Sequence, residues 1–227
     1  MISENIKSIK KKLPSEVKLV AVSKFHPFEA IKEAYAAGQR VFGENRPQEL
    51  QQKAQAFEEW KNSGGPCDDG IEWHFIGHLQ TNKLKMVPPY ATLVQSVDTV
   101  HLLDAVNDWG GKNGRTVNVL LEMHIGAEQT KQGFVEEEIL DILFRASSYR
   151  NVTFCGLMGM ASHTGNPEDV AADFARISDY MAYLQDLFPE LEDFKELSIG
   201  MSGDWPLALE YGATIVRIGT AIFGERA

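Results

Sequence analysis

The stretch VNVLLEM, residues 117–123, decides the fold. It is short, rich in β-branched and aliphatic residues, and almost continuously apolar. Strands buried on both faces of a parallel sheet read this way. Extended to His124 it is one of eight β-rich runs. The others are Val17–Ser23, Arg40–Gly43, Glu72–Ile76, Leu93–Val97, Val152–Met158, Glu196–Ile199 and Thr214–Ile218.

Helical patterns lie between them. Ser3–Leu13 precedes the first strand, with Ile2, Ile6, Ile9 and Leu13 in one stripe. Pro27–Ala37 opens with proline near its first turn and stops at Gly38. Asp98 or Thr99 can cap Val100–Trp109, and Val135–Ser148 puts Ile139, Ile142 and Leu143 on one face. Asn166 caps a long helix to Phe188, with Pro167 at its first position and Glu168 and Asp169 in its first turn. Strands alternating with helices predict an α/β fold: a single (β/α)8 TIM-type barrel with an extra N-terminal helix, one domain over residues 1–227. An open doubly wound sheet is the second choice. The loop NSGGPCDDG, residues 62–70, is the one insertion expected to be flexible.

Composition narrows the class. Hydrophobic residues make up 44% and charged residues 24%, as in ordinary globular proteins. No apolar run approaches the ~18 residues of a membrane span. Met1–Lys12 lacks the apolar centre of a signal peptide, so a cytoplasmic protein with no membrane partner is expected. The net charge of −10, with scattered Lys and Arg, argues against nucleic acid as a partner but leaves room for a local anion site. Two cysteines, Cys67 and Cys155, exclude a disulfide scaffold or a zinc ribbon. Cys155 is expected in the core and Cys67 in an exposed turn.

Ligands of such barrels sit at the C-terminal ends of the strands. Ser23-Lys24, Gly43-Glu44-Asn45, His74, Gly77-His78, Ser96, His124, Met158-Gly159-Met160, Ser198 to Ser202 and Arg217 to Thr220 collect there. Lys24 is either a solvated strand-end lysine or an amine that condenses with a carbonyl. The second role needs a neutral amine, favoured by desolvation or nearby positive charge. Gly219-Thr220 either closes a turn or lets backbone N–H groups meet a phosphate, at the position this fold commonly uses. Ser198 and Ser202 offer hydroxyls from the neighbouring strand. Arg217 points to the same side as Gly219, either paired with a carboxylate such as Asp204 or donating to a ring nitrogen. His74 and His78 are four apart, but Gly77 breaks the segment, and no metal is expected. No G-x-S-x-G elbow suggests a hydrolase.

AVSK (21–24), FGEN (42–45), EWHFIGHLQTNK (72–83), GLMGM (156–160), LSIGMSGDW (197–205) and VRIGTAIFG (216–224) occur together in this order. In this the chain resembles the pyridoxal phosphate homeostasis family, also called the proline-synthetase-co-transcribed family, over nearly its whole length. The resemblance implies a barrel like the N-terminal domain of alanine racemase, with pyridoxal 5'-phosphate bound covalently. It implies Lys24 as the Schiff-base lysine, and Ser198, Ser202, Gly219 and Thr220 as phosphate contacts. It further implies Arg217 as the partner of the pyridine nitrogen, and Asn45, Met201 and His74 as pocket lining. Two segments depart from the pattern. Met123-His124-Ile125-Gly126 replaces a segment expected to carry Asn, and Ala161-Ser162-His163 stands where a proline-containing loop is usual. These put the substrate or partner surface in question, not the cofactor site.

Chemistry then separates carrier from catalyst. An aspartate at the ring nitrogen would keep it protonated and the ring a strong electron sink. An arginine keeps its own proton, so the nitrogen stays neutral. That disfavours transamination and decarboxylation. Racemisation would need a second base, which alanine racemases draw from a separate domain not expected here. The expected function is therefore intracellular pyridoxal phosphate homeostasis by a monomer without amino-acid turnover, with apo pyridoxal-phosphate enzymes as recipients. A small alanine-racemase-like enzyme is the alternative, and a Schiff-base aldolase for a phosphosugar shares the lysine and phosphate features.

Overall fold

The computed structural model describes residues 1–65, 70–126, 132–164 and 166–225. Eight parallel strands close a barrel in chain order: β1 (Lys18–Val22), β2 (Val41–Glu44), β3 (Glu72–Phe75), β4 (Ala91–Val97), β5 (Val117–Met123), β6 (Val152–Gly159), β7 (Glu196–Ser198) and β8 (Ile215–Ile218). β8 pairs back onto β1, with Val20 opposite Arg217 and Ala21 opposite Ile218. The closed barrel excludes the open sheet, and the eight apolar runs are its eight strands.

The helices are α1 (Ile2–Lys10), α2 (Phe28–Ala36), α3 (Pro47–Asn62), α4 (Val100–Asn113), α5 (Glu136–Phe144), α6 (Pro167–Leu187), α7 (Trp205–Glu210) and α8 (Thr220–Phe223). A 3-10 turn, Thr81–Met86, links β3 to β4. Helix α3 has no counterpart in the sequence reading. Its buried stripe is Leu50, Lys53, Ala54 and Phe57, and the lysine breaks the apolar pattern. The helix expected over 135–148 stops at Phe144, and a 3-10 turn follows at Ala146–Ser148.

Strand alternation gives the barrel two apolar faces. Outward residues such as Phe42, Phe75, Val94, Leu121 and Val216 pack in the large core under the helices. Inward residues Val20, Val22, Leu93, Leu120, Met158 and Ile215 fill the bore. A register shift between β5 and β6 at Gly156 keeps Met158 facing inward. Only glycine fits there: φ is +143°, and a Cβ would lie 1.9 Å from the Glu196 carbonyl oxygen. Cys155 is half-buried against the inner cluster rather than fully in the core, and burial pushes its thiol up to about 11. Residues 66–69, Cys67 among them, lie outside the described residues. No helix among the described residues is long and apolar enough to cross a membrane.

Candidate functional site

Above the apolar filling the bore turns polar. Arg217 follows Ile215 on the inward face of β8 and is only 5% exposed. Its Nη1 donates to the carbonyl oxygen of Ser198 at 2.7 Å and to the Ser198 hydroxyl at 2.6 Å. Its Nη2 donates to the Gly159 carbonyl at 2.9 Å. The Ser198 hydroxyl donates in turn to Gln95 Oε1 at 2.6 Å, and Gln95 Nε2 lies 2.7 Å from His74 Nδ1. The Ser198–Gln95 bond spans the bore from β7 to β4. An amide NH2 only donates, so it meets a bare Nδ1, and the His74 proton sits on Nε2. Burial, with the charge of Lys18 adding to it, pushes the His74 ring down to about 3 and keeps it neutral.

Glu122 on β5 faces the same space. Burial, reinforced by Asp98, pushes its carboxyl up to about 7 against the pull of Arg217 and His78. Burial also draws Arg217 down to about 10, opposed by Glu122 and Asp204, so the guanidinium stays charged at neutral pH.

The rim above this layer carries Lys24 and the strand-end residues around it. Lys24, half-buried, follows the end of β1. Phe25 after it has φ +67°, a left-handed conformation uncommon outside glycine. Its N–H donates to Glu49 Oε2 at 2.9 Å, and the Arg46 guanidinium lies 4.4 Å from its ring centre. Ser23 before it is fully buried: its hydroxyl donates to Glu44 Oε1 at 2.7 Å, and its carbonyl accepts from Lys53 Nζ at 2.8 Å. Across the β1–β8 seam, Gly219 lies so close to β1 that a Cβ would come within 3.2 Å of the Val22 carbonyl oxygen. The Gly219 N–H donates to Ser202 Oγ at 3.2 Å, and the Ala221 N–H reaches the same oxygen at 3.5 Å. Asn45, at the end of β2, keeps its Oδ1 buried with no hydrogen-bond partner among the described residues.

The structure thus brings Lys24, Ser202, Gly219 and Thr220 to adjoining strand ends, with Arg217 beneath them. Met201 is exposed beside Ser202, and its N–H donates to Asp204 Oδ1. Ser198 and His74 lie lower, inside the bore. Arg217 is hydrogen-bonded to Ser198 and Gly159, and the Asp204 carboxylate acts on it only through its charge. His78 lies 3.1 Å from Asp98 Oδ2, and among the described residues no group of three or more His, Cys, Asp or Glu side chains is placed to hold a metal ion. Sequence reasoning assigned no role to Gln95, Glu122, Glu49 or Lys53, and none to the Glu44 side chain. Gln95 and Glu122 had a readable signal, as isolated polar residues inside apolar strands.

Known proteins share this architecture. The whole chain, residues 1–227, matches the family described as alanine racemase, N-terminal domain. The pyridoxal phosphate homeostasis protein of Vibrio alginolyticus is 39% identical over 213 residues, covering 94% of this chain and 88% of that one. The protein of the same name from Aquifex aeolicus is 39% identical over 209 residues, covering 92% and 87%. PipY of Synechococcus elongatus, solved with PLP bound, is similar with a TM-score of 0.87 and 37% identity, covering 99% of this chain and 100% of PipY. Alanine racemase of Clostridium difficile, 13% identical with a TM-score of 0.72 and 55% of its length covered, shares the fold alone.

Proposed function

Because the chain belongs to the alanine racemase N-terminal domain family and, within it, to the pyridoxal phosphate homeostasis proteins, we propose that it is a monomeric cytoplasmic carrier of pyridoxal 5'-phosphate. It takes up the cofactor at the barrel mouth and passes it to apo-enzymes without turning over amino acids. The residues present fit that ligand. Asn45 offers a buried acceptor with no hydrogen-bond partner among the described residues. Ser202 accepts from the Gly219 and Ala221 amides, which gathers one hydroxyl and two N–H groups at the rim, donors of the kind that hold an anion. Gly219 has the close packing against β1 that a bulkier residue would spoil.

The ligand supplies an aldehyde. Lys24 would hold it as a Schiff base, its neutral amine adding to the carbonyl carbon and one water leaving. Ser202, Gly219 and Thr220 would hold the phosphate. Ser198 would serve through Arg217 instead, since its hydroxyl already bonds Gln95 and Arg217 inside the bore. Asn45 and Met201 would line the pocket around the ring, and His74, buried in the bore, would support it from below through Gln95.

The observation that carries the carrier reading is the pinned Arg217. Three hydrogen bonds donated to Ser198 and Gly159 fix a charged guanidinium in the bore beneath Lys24. A guanidinium in this position would donate to the ring nitrogen and leave it unprotonated. The ring then withdraws few electrons. The test is borohydride reduction with peptide mass spectrometry, together with transfer from loaded protein to several apo-enzymes. The expected result is a pyridoxyl phosphate group on Lys24, activation of the recipients, and no racemase or aminotransferase turnover. Steady turnover of an amino acid, lost in Lys24→Ala, would replace the carrier by an enzyme.

A further inference from the structure

Both chain neighbours of Lys24 are tied to one buried ammonium. Lys53 of α3 is 8% exposed and sits within that helix's apolar stripe, a place where leucine would pack without desolvating a charge. Its Nζ meets Glu44 Oε1 at 2.6 Å, the Ser23 carbonyl at 2.8 Å and Glu49 Oε2 at 3.2 Å. Glu44 in turn receives the Ser23 hydroxyl at 2.7 Å, and Glu49 receives the Phe25 N–H at 2.9 Å. The His26 N–H closes the turn onto the Ser23 carbonyl at 3.0 Å. Residue 25 is the one described non-glycine residue with positive φ, at +67°. Such a conformation persists only where its surroundings impose it, and it clusters at working sites.

We propose that Glu44, Glu49 and Lys53 are positioning residues for Lys24. They lock residues 23 and 25 on either side of it and force the left-handed turn that points its amine toward the barrel mouth, without themselves touching the ligand. The proposal rests on Lys24 being the Schiff-base lysine. The gain is pre-organisation: the amine spends its time near the aldehyde, so bond formation with loss of one water is faster. Binding of the rest of the ligand is not affected.

The test compares pyridoxal phosphate with pyridoxamine phosphate, which has an amine in place of the aldehyde and forms no bond to lysine. Glu49→Gln and Lys53→Met are expected to slow growth of the visible Schiff-base absorption by about tenfold, with pyridoxamine phosphate binding unchanged. Phe25 is 41% exposed, so its replacement spares the buried cluster. Phe25→Val, a β-branched residue averse to positive φ, should slow bond formation, whereas Phe25→Gly should not. Both replacements lose the Arg46 contact, so only backbone preference separates them. Phe25→Gly should also restore much of the rate in Glu49→Gln. Equal rates in the Val and Gly variants would overturn the positioning role, as would parallel loss of both ligands in Glu49→Gln. If instead borohydride labels another lysine and Lys24→Ala keeps the absorption, the Lys24 reading itself falls, whatever the clamp variants do.

Discussion

Ser198→Ala separates a support inside the barrel from a contact at its mouth. The Ser198 hydroxyl is fully buried, accepts from the Arg217 guanidinium at 2.6 Å and donates to Gln95 at 2.6 Å. Alanine removes both bonds and leaves little cavity. A buried hydrogen bond to a charged group contributes about 1.5–3 kcal/mol and a neutral one about 1 kcal/mol. Arg217 keeps its two carbonyl acceptors, at Ser198 and Gly159, so its charge is not stranded. The expected loss is therefore about 2–4 kcal/mol. In a chain of 227 residues that lowers the melting temperature by on the order of 10 °C. Urea unfolding of the ligand-free protein at pH 7, followed by circular dichroism, measures it. A change below about 0.5 kcal/mol, within the range of neutral surface substitutions, would refute the interior role. If Ser198 bound phosphate instead, the variant would keep its stability and lose pyridoxal phosphate selectively over pyridoxal.

Three further outcomes are expected. The Glu122 carboxyl is raised in the folded state from an ordinary 4.5 to about 7, so its contribution to stability is present below pH 4.5 and is lost as pH rises through 7. Wild-type unfolding free energies from urea titrations should fall between pH 5 and 8, by up to about 3 kcal/mol, and Glu122→Gln should flatten that slope; identical slopes would sink the assignment. Gly219→Val would push side-chain atoms against the β1 backbone at Val22 and should weaken pyridoxal phosphate about tenfold more than pyridoxal, as isothermal titration would read; equal losses would argue against a phosphate role. Gly156→Ala combines positive φ with a Cβ 1.9 Å from the Glu196 carbonyl oxygen and should destabilise by more than about 3 kcal/mol, and a melting temperature near wild type would contradict the bulge.

The barrel was legible because its strands are buried on both faces, and few other elements produce eight short apolar runs at such intervals. Helix α3 was not, because function intrudes on its pattern: Lys53 holds a stripe position that periodicity assigns to an apolar residue. The site divides the same way. Lys24, Arg217 and Gly219 could be placed from strand ends alone, since the end of a strand fixes the rim and alternation fixes the side. What the rim residues bond to could not. Ser198 meets Gln95 across 103 residues of chain and the width of the bore, and no local pattern encodes that pairing. Ser198 reads in sequence as a rim hydroxyl because β7 is only three residues long, yet its side chain turns inward below the mouth.

The polar layer explains why a barrel this small keeps charge in its bore. Filling those positions with apolar side chains would stabilise the fold at least as well, since a buried guanidinium regains its lost hydration only through well-made hydrogen bonds. The chain retains Arg217 and surrounds it with fixed acceptors: two carbonyls, one hydroxyl, and the charge of Glu122 at a distance. Such a group resists movement and stays charged at neutral pH, so whatever nitrogen it faces there is met by a donor. On the carrier reading this is selection against reactivity. The ring would be held at its nitrogen and denied the proton that would make it an electron sink, while Lys24, half-exposed at the rim, would meet water or an incoming amine there. Exchange at the lysine would then stay accessible and the slower chemistry of amino-acid turnover would not, which is the balance a cofactor reservoir requires.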